Sequence, residues 1–189
     1  DAPSTGGQAA VERRIGGDES AAAEFGDVSD TCNQDRKSND RHVTQEAHED
    51  IEQNPELKAQ KSTVIYDPRW MKGIVGIVAS RLIETYYRPT VVLTMSNGYV
   101  TGSARSVPGF DLYQAVESCA DLLENFGGHM YAAGLTMKPE HVAEFTRRFN
   151  AFVEENIDPQ MLVPQVDIDG ELLFSDITPA FRRDLNRFQ

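Results

Sequence analysis

A single imidazole among small residues is the first place in this sequence where chemistry suggests itself. In Phe126-Gly127-Gly128-His129-Met130-Tyr131-Ala132-Ala133-Gly134, glycine and alanine stand where an ordinary core segment carries large apolar groups. Adjacent glycines leave main-chain N–H groups uncovered, and successive uncovered amides form a concavity that suits an anion. His129 adds a ring donor to that concavity, so a phosphate oxygen is the natural occupant. The segment reads as a tight loop between a helix and a strand.

A second constellation lies upstream in Thr101-Gly102-Ser103-Ala104-Arg105-Ser106-Val107-Pro108-Gly109-Phe110. Gly102 and Gly109 keep the backbone accessible, Ser103 and Ser106 offer hydroxyls, and Arg105 supplies a planar fork of donors that matches phosphate. One helix separates it from the glycine-histidine stretch, which lets the two meet at one end of a sheet, where α/β proteins bind ligands. A third element, Trp70-Met71-Lys72-Gly73-Ile74-Val75-Gly76-Ile77-Val78-Ala79-Ser80, opens a helix on two glycines. Its first amides could face an anion and Trp70 could offer a stacking plane. Lys72 reads as a solvated lysine.

Other chemistries lack their parts. Two-metal hydrolysis of a phosphodiester needs several Asp and His ligands around the cations, and the sequence has no Asp-His-His motif. His42 and His48 lie six apart, on different faces of any helix. There is no nucleophile elbow. Cys32 and Cys119 are isolated, which suggests neither a zinc site nor a disulfide framework, and both read as reduced thiols.

The elements that must position these residues follow from periodicity. Residues 1–17 read as a flexible start, or the remnant of a preceding lobe, without a hydrophobic period. From Asp18 to Asn54 the chain is free of proline and ends at Pro55, predicting one long helix or two in series over 18–60. Its apolar stripe is thin: Phe25, Val28, Val43, Ala47 and Ile51 keep 3–4 spacing, while Ser29, Asn39 and His48 interrupt it. That describes a connector more than a core helix. Ser62–Tyr66 predicts a strand, Gly73–Tyr87 a helix, Thr90–Met95 and Tyr99–Ala104 two strands around an Asn97-Gly98 turn. Asp111–Asn125 predicts an amphipathic helix, Gly134–Met137 a strand, and Pro139 opens a helix to Asn156. The fold class is α/β, a mixed sheet with helices packed on it, over 61–158. Val166–Phe174 alternates like a further strand and Ile177–Phe188 like a helix start, so 159–189 reads as the opening of another domain.

The chain has 189 residues and a net charge of −12. Such a charge opposes nucleic-acid binding, which favours a basic footprint, but its distribution softens the objection. Residues 1–60 hold six basic and fourteen acidic side chains, whereas residues 61–137 hold six of each. No apolar run reaches the length of a membrane span and no signal pattern opens the chain, so the cytoplasm is the expected location.

Taken together, the three motifs resemble a known pattern. Trp-x-x-Gly-Ile-Val-Gly-Ile-Val-Ala-Ser-Arg-Leu, Gly-Ser-Ala-Arg-Ser-Val-Pro-Gly-Phe-Asp-Leu and Phe-Gly-Gly-His-x-x-Ala-Ala-Gly are similar to the DHH-associated domain of the RecJ family of single-stranded-DNA-specific exonucleases. The resemblance covers about residues 61 to 156. Cys32-Asn33-Gln34-Asp35-Arg36-Lys37 is similar to that family's linker helix, and Val166–Phe188 to the start of its OB-fold domain. Met71 stands where the family often has histidine.

The resemblance implies the substrate-gripping lobe of a 5′→3′ exonuclease of single-stranded DNA, a piece of a longer protein. Its metals, Mn²⁺ or Mg²⁺, would be held by a DHH lobe outside this chain, and this piece alone would be inactive. Gly102, Ser103, Arg105 and Ser106 would hold a DNA phosphate, as would Gly127, Gly128 and His129, with His129 stabilising developing charge. Two other readings remain open: a sister phosphodiesterase acting on short oligonucleotides or cyclic dinucleotides, and a non-catalytic interaction module.

Overall fold

The computed structural model of the chain describes residues 40–166, 168 and 170–188. The expected flexible start, residues 18–39 of the connector and the Cys32–Lys37 motif lie outside the described residues.

Helix α1 is helical from 40 to 53, and it is not the loose connector its composition suggests. Val43, Ala47 and Ile51 are buried at four-residue spacing, and Asp40 and Thr44 extend the same face. The polar members are satisfied: Arg81 Nη1 donates to Asp40 Oδ1 at 2.6 Å, and Thr44 Oγ1 donates to the Asp40 carbonyl at 2.6 Å. The three apolar side chains join Ile65, Trp70, Ile74, Val78 and Val92 in one buried cluster. Half-buried His48 shares a 3.2 Å hydrogen bond with the Tyr86 hydroxyl. Asn54 ends the helix and caps a short α2, Pro55–Ala59, by accepting from Leu57 N–H at 3.1 Å.

Five strands form one sheet in the order β1-β2-β3-β5-β4. Strand β1 (Thr63–Tyr66) runs parallel to β2 (Thr90–Ser96), joined through helix α3 (Val75–Tyr86). Strands β2 and β3 (Tyr99–Arg105) form an antiparallel hairpin. Asn97 and Gly98 both have left-handed φ, +52° and +80°, as a two-residue turn between twisted strands demands. Strand β5 (Ala132–Met137) pairs antiparallel with β3, and β4 (Leu123–His129) closes the far edge against β5. A mixed sheet with packed helices is therefore what the chain folds into.

Side-chain alternation divides the sheet between two cores. Val91, Leu93, Val100, Ala104, Leu135 and Met137 face one side, under α4 (Leu112–Glu117) and α5 (Val142–Asn156). Phe145 and Phe149, both fully buried, stack with ring centroids 5.7 Å apart, each worth roughly 1.5–3 kcal/mol of burial. On the other side Ile65 and Val92 pack under α1 and α3 through Val43, Ile51, Ile74, Val78 and Leu82.

Two expectations fail here. The helix predicted to Asn125 ends at Glu117, and after a 3₁₀ turn (Ala120–Leu122) the chain enters β4. Leu123 and Phe126 continue the helical spacing of Leu112, Ala115, Val116 and Cys119, so periodicity alone does not separate helix from strand. Pairing decides it: Gly127, Gly128 and His129 bond to Gly134, Ala133 and Ala132, and two adjacent glycines resist a helix. Near the C-terminus, the described residues of 166–174 form no strand. Val166 and Ile168 are 86% and 83% exposed, and no strand among the described residues pairs with them. The expected helix there is the short α6 (Pro179–Leu185), capped by Thr178 accepting from Phe181 N–H at 3.2 Å. Among the described residues, no helix is long and apolar enough to cross a membrane.

Candidate phosphate-binding face

The motifs meet at one end of the sheet and on one of its faces: Arg105 ends β3, His129 ends β4 and Ala132 opens β5. Antiparallel register sets three cross-strand rows: Thr101–Thr136–Asn125, Ser103–Gly134–Gly127 and Arg105–Ala132–His129. Alternate residues of a strand share a face, so all three rows lie on one side. Ser103 pairs with Val92, which places that side under α3. The helix covers β2 and β3 and stops short of the outer strands, leaving Gly134, Gly127 and His129 exposed. Arg105 and His129 thus flank Ala132, their Cα atoms two strand spacings or about 10 Å apart.

Each predicted residue has a definite place. Half-buried Arg105 donates from Nη1 to Ser103 Oγ at 2.7 Å and to the Ala104 carbonyl at 2.9 Å. It forms no ion pair among the described residues, so its second nitrogen keeps its charge uncompensated. A Cβ on Gly76 would lie 3.1 Å from that Nη2 and 3.2 Å from Ser103 Oγ. The glycine of α3 therefore lets the guanidinium lie flat against the helix. His129 accepts from Tyr131 N–H through Nδ1 at 3.3 Å and meets the Tyr131 ring edge-on at 6.2 Å. That bond puts the ring proton on Nε2, an outward-facing donor.

The remaining predicted residues shape the fold around these two. Ser106 Oγ donates to the Phe110 carbonyl at 2.8 Å and its N–H to the Tyr131 carbonyl at 3.0 Å, tying the loop after β3 to the β4–β5 turn. Gly102 belongs to the core-facing row, where a Cβ would come within 2.4 Å of Leu93 Cδ2. Gly128 is required by the pairing: a Cβ there would lie 2.2 Å from Ala132 O and 2.6 Å from Ala133 Cα. Gly127–His129 thus belong to an edge strand instead of the loop that their composition suggests.

Trp70 offers no stacking plane. It is 4% exposed, its Nε1 donates to Glu46 Oε2 at 2.9 Å, and its carbonyl accepts from Thr94 Oγ1 at 2.5 Å. Anchored this way, it fixes the start of the segment that carries Lys72 to the rim of a cleft. Thr101, Asn125, Gly127, Gly134 and Thr136 line the same cleft. Sequence reading missed Lys72, Asn125 and Thr136, because only the register of β3, β5 and β4 brings them together.

Residues 59–155 match the model of the DHHA1 domain. The chain belongs to the DHHA1 domain family. RecJ of Bacillus subtilis, a single-stranded-DNA-specific exonuclease, is 34% identical over 179 residues, 94% of this chain and 22% of that protein. The Escherichia coli RecJ is 36% identical over 119 residues, covering 60% of this chain and 21% of its own length. The chain therefore spans about a fifth of these curated relatives. Among solved structures, RecJ of Thermus thermophilus in complex with Mg²⁺ superposes with a TM-score of 0.71 at 28% identity, over 80% of this chain and 23% of that one. An exonuclease RecJ bound to manganese gives 0.71 at 27% identity, over 82% and 38%.

Both of those structures hold a divalent metal. Among the described residues no group of three or more His, Cys, Asp or Glu side chains converges to hold an ion. The face instead carries Arg105, His129 and, at the rim of its cleft, Lys72.

Proposed function

We propose that this DHHA1 domain is the substrate-gripping lobe of a RecJ-type 5′→3′ exonuclease, holding the phosphates of single-stranded DNA. The observation that carries the reading is the row Arg105–Ala132–His129, in which a guanidinium and an imidazole donor flank a small residue on an exposed sheet face. The small residue leaves room for the sugar-phosphate backbone to pass between them. Arg105 binds a phosphate near the 5′ end through its free Nη2, held in place by Ser103 and by its seat against Gly76. His129 donates from Nε2 to the phosphate near the scissile bond, where a fixed donor is worth most as charge develops. The residues that hold the metal and perform hydrolysis belong to a DHH lobe outside this chain, and this lobe alone does not cleave DNA. In this reading residues 61–158 are the gripping unit, and residues 159–189 open an OB-fold-like domain.

The test is fluorescence anisotropy with a 5′-phosphorylated oligothymidylate. Arg105→Ala should weaken binding by about 1.5–3 kcal/mol, the scale of a charge-assisted hydrogen-bond site. Equal affinity for mutant and parent would refute the role of Arg105.

A further inference from the structure

The cleft beside the Arg105–His129 row has a composition that the fold does not require. We propose that Lys72, with the floor formed by Gly127 and Gly134, is a second backbone subsite that holds the next phosphate and sugar of a single-stranded polynucleotide. This deepens the phosphate-binding reading of the face and rests on it.

The glycines of this region are of two kinds. Gly128 and Gly102 are demanded by packing, since a Cβ at either would collide with backbone or core atoms under 3 Å away. Gly127 and Gly134 are not. A Cβ on Gly127 would meet nothing within 4 Å, and one on Gly134 only the Gly102 carbonyl at 4.0 Å. The two are register partners and both are exposed. An alanine pair would fit the fold as well and would cover the backbone better. What the glycines preserve is open space above two adjacent strands, which allows a sugar and phosphate to lie directly on the main chain.

The wall of the same cleft supplies a cation. Lys72 is exposed and forms no ion pair or hydrogen bond among the described residues, while Trp70, two residues earlier, is held by Glu46 and Thr94. Asn125 and Thr136 add an amide and a hydroxyl opposite it, and no carboxylate lines the cleft among the described residues. Excess positive charge, uncommitted donors and a bare floor suit a phosphodiester better than a peptide or a neutral ligand. The row Thr101–Thr136–Asn125 lies four residues along the strands from Arg105–Ala132–His129, about 13 Å. One phosphate cannot reach both ends; a strand of several nucleotides can.

Length dependence is therefore the test. The chain is titrated with 5′-phosphorylated oligothymidylates of one, two and four nucleotides. Affinity should rise about tenfold from the mononucleotide to the tetranucleotide, the scale of one further charge-assisted contact. Lys72→Gln should abolish that gain, leave mononucleotide affinity unchanged, and make the slope of log K against log salt shallower by about 0.7 for the tetranucleotide. Gly134→Ala should lose the gain at an unchanged melting temperature. A Lys72→Gln protein that keeps both gain and slope, or a parent without any gain, overturns the second subsite while leaving Arg105-dependent mononucleotide binding intact. A parent that binds no length, or binds every length with indifference to Arg105→Ala, overturns the phosphate reading of the face and the subsite with it.

Discussion

Gly76→Ala separates the positioning of Arg105 from the stability of the domain. The new methyl carbon would stand 3.1 Å from Arg105 Nη2 and 3.2 Å from Ser103 Oγ, against ordinary contact from 3.4 Å upward. The helix backbone is fixed by its neighbours, so the far end of the arginine moves, by about 0.3 Å. Displacing the guanidinium lengthens its 2.7 Å bond to Ser103 and tilts the fork away from the anion. Such misalignment should remove a part of a charge-assisted interaction, about 0.5–1.5 kcal/mol, or roughly threefold to tenfold in affinity for a 5′-phosphorylated oligonucleotide. The fold should not suffer. Alanine is the better helix former by up to about 1 kcal/mol, which corresponds to a melting temperature unchanged or raised by about 2–4 °C. Calorimetry and anisotropy on the same preparation check both halves. Undiminished affinity would refute the seat of Arg105 against α3, and a melting temperature several degrees lower would show that Gly76 serves packing instead.

Other perturbations probe the scaffold. Gly128→Ala should destabilise the domain by about 3 kcal/mol or more, because its collision partners are backbone atoms of Ala132 and Ala133; urea unfolding measures it, and a loss below about 1 kcal/mol would contradict the pairing of β4 with β5. Ile51→Ala should cost about 2–5 kcal/mol, since Ile51 is fully buried; a surface-like cost would detach α1 from the second core. The Asp67 carboxyl is held below its ordinary pKa of 3.8, first by the side-chain hydrogen bonds of Arg69. A depressed carboxylate stabilises the fold above that pH and ceases to as pH falls through its folded pKa. Asp67→Asn should therefore lower the melting temperature near neutrality and converge on the parent in acid, and a constant offset at every pH would contradict this.

How much of this was legible beforehand depended on whether the deciding interaction was local. The β2–β3 hairpin was readable because Asn97-Gly98 can adopt the left-handed turn it needs, and α5 because Phe145, Phe149 and Val153 repeat every four residues against a core. Strand β4 was not, because Leu123 and Phe126 satisfy a helical spacing and only the partner strand, beyond a two-residue turn, tips the balance. Helix α1 looked too polar for a core. Among the described residues it buries three apolar side chains, Val43, Ala47 and Ile51, and Asp40 and Thr44 are buried only because Arg81 and a backbone carbonyl satisfy them. Of the candidate site, Arg105 and His129 were visible as residue types. Their juxtaposition across Ala132 was not, since it is a property of register among three strands. The same register sorts the glycines: Gly102 and Gly128 look no different from Gly127 and Gly134 in sequence, yet face opposite sides of the sheet.

The most direct measurement is an amide chemical-shift titration of the isotopically labelled chain with a short oligothymidylate, run with and without a 5′ phosphate. The account predicts saturable shifts centred on Arg105, Gly127, His129 and Gly134, larger for the phosphorylated strand, with the core-facing row of Val100 and Met137 unmoved. Shifts that gather elsewhere, or that ignore the 5′ phosphate, would contradict the claim that this face holds the phosphates of single-stranded DNA.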